Sequence, residues 1–242
     1  MKIKQKNTID MTHGTLWNKL LIFALPLAAS SILQQLFNSV DTAVVGRFAS
    51  SRALAAVGSN SSLIALMINL FIGISLGSNV IISRYIGQKA EEHVKGAIHT
   101  AIVVALCSGI FVLVLGQFIA RPVLTLMGTP KDVLDLAVLY LRIYFLGMPF
   151  IMLYDFSSSI LRSIGDSRRP LYALIAAGII NTGLNLILVI VFHLGVSGVA
   201  IATVVSNIVS SGILFYILLH EQEPIRVSLS GLSIDWGGLK KI

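Results

Sequence analysis

The chain has 242 residues, of which 55% are hydrophobic and only 12% charged, against about 25% charged in a soluble domain. Its mean hydropathy is +0.87, so its apolar surface cannot hide in a water-facing globule; lipid must be the main solvent, which excludes an ordinary soluble enzyme. The formal charge of +7 would suit nucleic acid only if the basic residues formed one polar surface, but they sit in short clusters between apolar runs, so a lipid bilayer, cytoplasmic leaflet first, is the expected partner, with no nucleic acid.

A helix needs about 20 apolar residues to cross a hydrocarbon core of about 30 Å. Six runs qualify: Leu20 to Val45, Ala53 to Ile82, Gly96 to Ala120, Val133 to Ile160, Leu171 to Leu194, and Val196 to Leu219. The second and fourth exceed the need, which implies tilt or projection into the interface. The expectation is an all-α polytopic membrane protein: residues 1–19 a cytoplasmic amino-terminal segment, 20–220 a lobe of six transmembrane helices, and 221–242 a cytoplasmic segment beyond it. Gly87-Gln88-Lys89, Gly128-Thr129-Pro130, Gly165 to Pro170 and Gly195-Val196-Ser197-Gly198 punctuate the breaks with helix stoppers. Basic residues set the orientation. Lys2, Lys4, Lys6 and Lys19 precede the first span; Arg84, Lys89 and Lys95 mark the second loop, Arg162, Arg168 and Arg169 the fourth, and Arg226, Lys240 and Lys241 the tail. The alternate loops carry far fewer, which puts both termini on the cytoplasmic side of the cell membrane. The amino end has lysines before an apolar stretch, as a signal peptide would, but that stretch runs on to Phe37 and five spans follow, so the first span is expected to be retained. The single cysteine, Cys107, lies in an apolar run, reads as an inert buried thiol, and permits neither an intrachain disulfide nor a thiolate metal cage.

Polar groups inside spans are the first places to look for function. In the first span Ser30, Gln34, Asn38 and Asp41 recur at intervals of four, four and three, one helical face ending in a carboxylate. Gln34 and Asn38 become substrate-pathway candidates, and Pro26 in the same span is a candidate hinge. At a rise of about 1.5 Å per residue, Asn181, Asn185, Thr203 and Asp41 all fall in the outer half of the membrane. A carboxylate there can take a proton, or a sodium ion if amide and hydroxyl oxygens complete its shell; the alternative is an interfacial Asp41 beyond the end of the helix. Arg142 and Asp155 in the fourth span are roughly 20 Å apart along a helix, too far to pair. Arg142 is expected to snorkel outward, and Asp155, ahead of Arg162, to serve a local ion pair or the interface before any substrate. The glycines of the second span (Gly58, Gly73, Gly77) and the Gly195 to Ala200 stretch suit close helix packing or a hinge, packing being the commoner reason.

Leu25-Pro26-Leu27, Leu33 to Thr42 and Val45-Gly46-Arg47 resemble the first helix of multidrug and toxic compound extrusion (MATE) transporters. Ala55-Ala56-Val57-Gly58, Gly73 to Gly87, Leu161 to Ser167 with Pro170, Asn181 to Leu186, and Gly195 to Ala200 resemble later family segments, in order, over nearly the whole chain. The resemblance implies a twelve-helix transporter of two six-helix lobes related by a pseudo-twofold axis, of which this chain supplies one. Trp236, Leu239 and Ile242 repeat the spacing of Trp17, Leu20 and Phe23, as a second repeat would. A carboxy-terminal lobe of the same transporter is therefore an expected partner. By the same resemblance Asp41 is the coupling-ion carboxylate, with Asn181, Asn185 and Thr203 around it. The position of Asn185 is often an aspartate in the family, so one carboxylate is lost and a proton or a weak monovalent cation site is favoured over tightly bound sodium, while the other lobe could carry a site of its own. The implied activity is antiport: export of small organic, cationic drugs or toxic compounds driven by H+ or Na+, with no other cofactor, no metal and no catalytic residue.

Two rivals differ in what they demand. A lipid-linked oligosaccharide flippase of the same broad fold wants a cationic cavity, and the spans offer only Arg142 and perhaps Arg84. An intramembrane serine protease is suggested by Gly195-Val196-Ser197-Gly198, but it needs a histidine beside the serine; His220 is roughly 34 Å away on the same helix. No Gly-x-x-x-x-Gly-Lys motif supports an ATP-driven exporter.

Overall fold

A computed structural model describes residues 16–228. The basic cluster Lys2, Lys4 and Lys6, and the tail positions Trp236, Leu239, Lys240, Lys241 and Ile242, lie outside the described residues. The described residues form α1 (Leu16–Phe48), α2 (Ser51–Gly87), α3 (Glu91–Leu126), α4 (Lys131–Leu146), α5 (Met148–Ser163), α6 (Arg168–Leu186), a π-helical turn (Ile187–Val191) continuing α6, and α7 (Gly195–Leu219). Five helical stretches are long and apolar enough to span a membrane, and α4 with α5, meeting at 48°, supplies a sixth crossing.

That bend departs from the single fourth span expected. Apolar side chains run unbroken across Gly147, so hydropathy does not register it; the cause is Pro149, near the start of α5, whose ring removes an N–H and crowds the preceding turn. The lengths also differ. α1, α2 and α3 have 33, 37 and 36 residues, roughly 50 to 55 Å of helix against about 30 Å of hydrocarbon. Polar residues such as Glu91 to Lys95 carry the helices past the lipid, where hydropathy stops reporting and backbone hydrogen bonding does not.

Short connections hold the bundle in register. Ser50 caps α2 by accepting the N–H of Ala53 at 3.1 Å. Before α6 the chain turns at Gly165, whose φ of +84° suits only a residue without a β-carbon. Asp166 then accepts the backbone N–H groups of Arg168 and Arg169 at 3.0 and 3.1 Å, satisfying two orphan donors of the helix.

Within lipid, association depends on close packing and interhelical hydrogen bonds. The principal pairs are α6 with α7, α3 with α5, and α1 with α6. Asn60 on α2 donates to the carbonyl of Ala137 on α4 at 3.0 Å, and Asn79 on α2 to that of Ser159 on α5 at 2.9 Å. Large apolar side chains such as Leu66, Val80, Phe111 and Phe118 point outward, as a lipid-facing surface requires. Cys107, expected to be buried, is exposed instead.

Candidate functional site

Every described helix except α3 contributes to a cavity of about 860 Å³. The first-helix stripe faces it in part: Gln34, Asn38 and Asp41 line the wall. Ser30 instead is buried and donates to the carbonyl of Pro26 at 2.8 Å. α1 passes through Pro26 as one continuous helix.

Four sequence candidates from three helices meet at one end of the cavity, Asp41, Asn181 and Thr203 in its wall and Asn185 behind them. The Asn185 amide on α6 donates to Asp41 Oδ1 and, at 3.1 Å, to Asn181 Oδ1 one turn earlier. Thr203 Oγ1 on α7 stands 3.5 Å from Asp41 Oδ2 and 3.0 Å from the carbonyl of Val199. A hydroxyl has one hydrogen, and the shorter contact to Val199 takes it, which leaves the Thr203 oxygen free to accept. Asp41 and Asn181 are buried and Asn185 is fully so; the Asn185 Oδ1 has no hydrogen-bond partner. Asp41 is thus inside the helix and inside the protein rather than at the interface.

The arrangement speaks to ion type. The Asn185 NH2 group sits between the Asp41 and Asn181 oxygens, presenting partial positive charge where a bound cation would draw those oxygens together. An all-oxygen shell would require that amide to turn away. Among the described residues no three His, Cys, Asp or Glu side chains gather as a metal cage.

Sequence reasoning passed over several lining residues. Ser206, Asn207 and Ser210 line the wall with Thr203; they follow it at three, four and seven residues, the same one-face signal seen in α1. Tyr140 and Tyr144 on α4 also line it, their rings 6.2 Å apart. Asp155 lies in the wall too, and its Oδ2 is buried with no hydrogen-bond partner. Among the described residues Asp155 and Arg162 form no close salt bridge, although Arg162, two turns along α5, still attracts the Asp155 carboxylate electrostatically. Arg84 and Arg142 do not line the cavity, so among the described residues its charged lining consists of Asp41 and Asp155.

Fold and site together define a class: a multi-pass, all-α membrane protein, one six-crossing lobe built around an acidic internal cavity. The chain matches MatE over residues 26–187 and belongs to that family. It is 35% identical to "Probable multidrug resistance protein YoeA" of Bacillus subtilis, covering 90% of this chain and 48% of that protein. To "Probable multidrug resistance protein YpnP" of the same organism it is 30% identical, covering 90% and 49%. A MATE protein solved in the straight conformation superposes with a TM-score of 0.87 at 24% identity, over 98% of this chain and 53% of that one. The chain thus spans about half the length of the relatives it matches, the extent of one MATE lobe.

Proposed function

We propose that the chain is the amino-terminal lobe of a secondary antiporter that exports organic cations, drugs or toxic compounds, across the cytoplasmic membrane, with protons as the coupling ion and both ends of the segment on the cytoplasmic side. The observation that carries this reading is the cavity lining, two carboxylates and no basic side chain among the described residues. Such a wall attracts cations and repels the pyrophosphate of a lipid-linked oligosaccharide. The names of the 35% and 30% identical relatives support the multidrug part of the reading. A protease reading draws nothing from the structure: among the described residues no hydrogen bond joins Ser197 to a histidine, and His193, the nearest in sequence, is exposed in a turn.

The chemistry of coupling follows from the Asp41 cluster. When ionised, Asp41 accepts from the Asn185 amide and adds negative charge to the cavity. When it takes a proton from outside, its new O–H donates to Thr203 Oγ1, which already passes its own hydrogen to Val199. Protonation removes one of two cavity charges, and an organic cation is held less tightly and leaves. Linkage is reciprocal, so bound cation must weaken proton binding by the same factor. A bend of α1 at Pro26 would move Gln34, Asn38 and Asp41 together, and a carboxy-terminal lobe of the same polypeptide would close the other side of the path.

The test is efflux of ethidium from cells making the protein from its complete reading frame, wild type against Asp41→Asn, under separately imposed proton and sodium gradients. Proton-driven efflux lost in the variant at equal protein level is expected. Efflux driven by sodium alone would overturn proton coupling, and no cation movement under either gradient would overturn the export reading.

A further inference from the structure

The proposed export cycle asks the cavity to do two things, hold a coupling ion and hold a cationic cargo, and the structure supplies two carboxylates in different surroundings. Asp41 is engaged by an amide donor and buried beside Asn181, Asn185 and Thr203. Asp155 is partly exposed in the wall of the same cavity, with a buried carboxylate oxygen that nothing in the protein satisfies. Arg162 attracts this carboxylate only from a distance, without a close salt bridge or hydrogen bond, and a buried acid oxygen left unsatisfied inside a span at a cavity wall has room for a partner from outside the protein.

The two acids also differ in depth. Asp155 stands 8 residues before the cytoplasmic end of α5, roughly 12 Å along the helix. Asn185, which grips Asp41, is 17 residues beyond the cytoplasmic start of α6, roughly 26 Å. Asp155 is therefore the deeper carboxylate, on the side from which a cargo enters. Around it the cavity wall carries Tyr144, Tyr154 and Ile151, with Ser210 from α7. Tyr154 is fixed by donating to the carbonyl of Pro170 at 3.2 Å, so its ring is held as a firm wall. Aromatic faces beside a carboxylate suit a delocalised or quaternary organic cation, which offers charge without hydrogen-bond donors. Arg162, two turns toward the cytoplasm, has its own unsatisfied Nε and does not line the cavity.

We infer that Asp155 is the cargo-anchoring carboxylate, a lower site for lipophilic organic cations separate from the Asp41 cluster. This rests on the export reading above. Division of labour follows: a cation enters from the cytoplasm, rests against Asp155 and the tyrosines, and is released when protonation at Asp41 lowers the negative charge of the shared cavity. Asp155 supplies the cavity with its second carboxylate, at a different depth from Asp41.

The full-length protein, purified into lipid nanodiscs, would be titrated with tetraphenylphosphonium and, as a neutral body of similar shape, triphenylphosphine oxide. Asp155→Asn should weaken the phosphonium about tenfold or more, the loss of one low-dielectric charge contact, and leave the oxide unmoved; Asp155→Glu should retain phosphonium binding. On the wild type, a photoactivatable triphenylphosphonium should label α5 around Ile151 to Asp155, which needs no variant to fold. Equal phosphonium binding by wild type and Asp155→Asn overturns the inference, as does equal weakening of both ligands, or labelling confined to the Asp41 end. Those outcomes leave export intact if wild-type cells still extrude ethidium; a wild type that neither binds nor exports cations sinks the export reading and this inference with it.

Discussion

Gly178 on α6 and Phe37 on α1 approach so closely that a β-carbon on Gly178 would lie 1.8 Å from Phe37 Cζ. The contact fixes how α1 sits on α6. Asp41 follows Phe37 by one turn, and Asn181 and Asn185 follow Gly178 by about one and two turns, so the same contact brings the carboxylate to its amide. Gly178→Ala must push the ring away and is expected to destabilise the lobe by about 1 to 3 kcal/mol, the usual range for overpacking. Thermal unfolding of the purified protein would read this. Phe37→Ala in the Gly178→Ala background should recover part of the loss, because neighbours that share a clash are not additive; strictly additive effects would contradict the contact.

Asn185→Asp tests the proposed preference of this site for a proton. The amide that bridges Asp41 and Asn181 would be replaced by a second carboxylate, and two acids in contact need a cation or a shared proton between them. Sodium ions should then stabilise the variant against heat, by an increment that grows with the logarithm of their concentration once it exceeds the Kd, while leaving the wild type unaffected. A variant indifferent to sodium would mean that the oxygens of Asn181 and Thr203 cannot complete a shell, and that the amide at 185 is not what excludes the ion.

The six crossings were legible because hydropathy measures the quantity that lipid selects. Depth arithmetic likewise put Asp41, Asn181, Asn185 and Thr203 in the same half of the membrane, since helical rise is fixed. What stayed hidden had no signature in composition. The break at Pro149 lies in an unbroken apolar run, and the π-helical turn Ile187–Val191 is a slip of backbone hydrogen bonds that side-chain polarity does not record. Asp155 was expected near a local cation because Arg162 lies close in sequence; whether it faces Arg162 or a cavity depends on how α5 turns against α2, α3 and α7. The α7 stripe from Thr203 to Ser210 was readable by the rule applied to α1, but serine and threonine are ordinary in membrane helices, where they bond to the preceding turn as Ser206 and Ser210 also do here.

Arg169 ties together the end of the lobe where α6 starts and α7 stops. Its guanidinium bonds Asp166, which caps α6, and Glu221, just past α7, and the Asp166 side chain is fully buried. Arg169→Ala would strand that carboxylate, a defect worth about 3 to 5 kcal/mol when a buried pair loses one partner. Because Arg169 keeps 19% of its side chain exposed, the low end is expected. Arg169→Lys should restore only part, since an ammonium cannot present the two-sided fork that reaches both acids. Unfolding temperatures ordered wild type, then Lys, then Ala would bear this out; indistinguishable values would show that the network adds nothing.

Pro26 separates stability from motion. It lies within α1, 22 residues before the helix ends at Phe48, and roughly 22 Å along the axis from Asp41. Its missing N–H breaks one rung of the helix, so the carboxy-terminal part of α1, which carries Gln34, Asn38 and Asp41, can bend as a unit. Pro26→Ala restores the rung and removes a helix penalty of about 3 kcal/mol. The variant should therefore unfold at the same temperature as the wild type or higher, and bind tetraphenylphosphonium with similar affinity, yet export ethidium several-fold more slowly. Efflux at the wild-type rate would show that α1 does not bend there during turnover; slower efflux together with lost stability would assign Pro26 to packing instead.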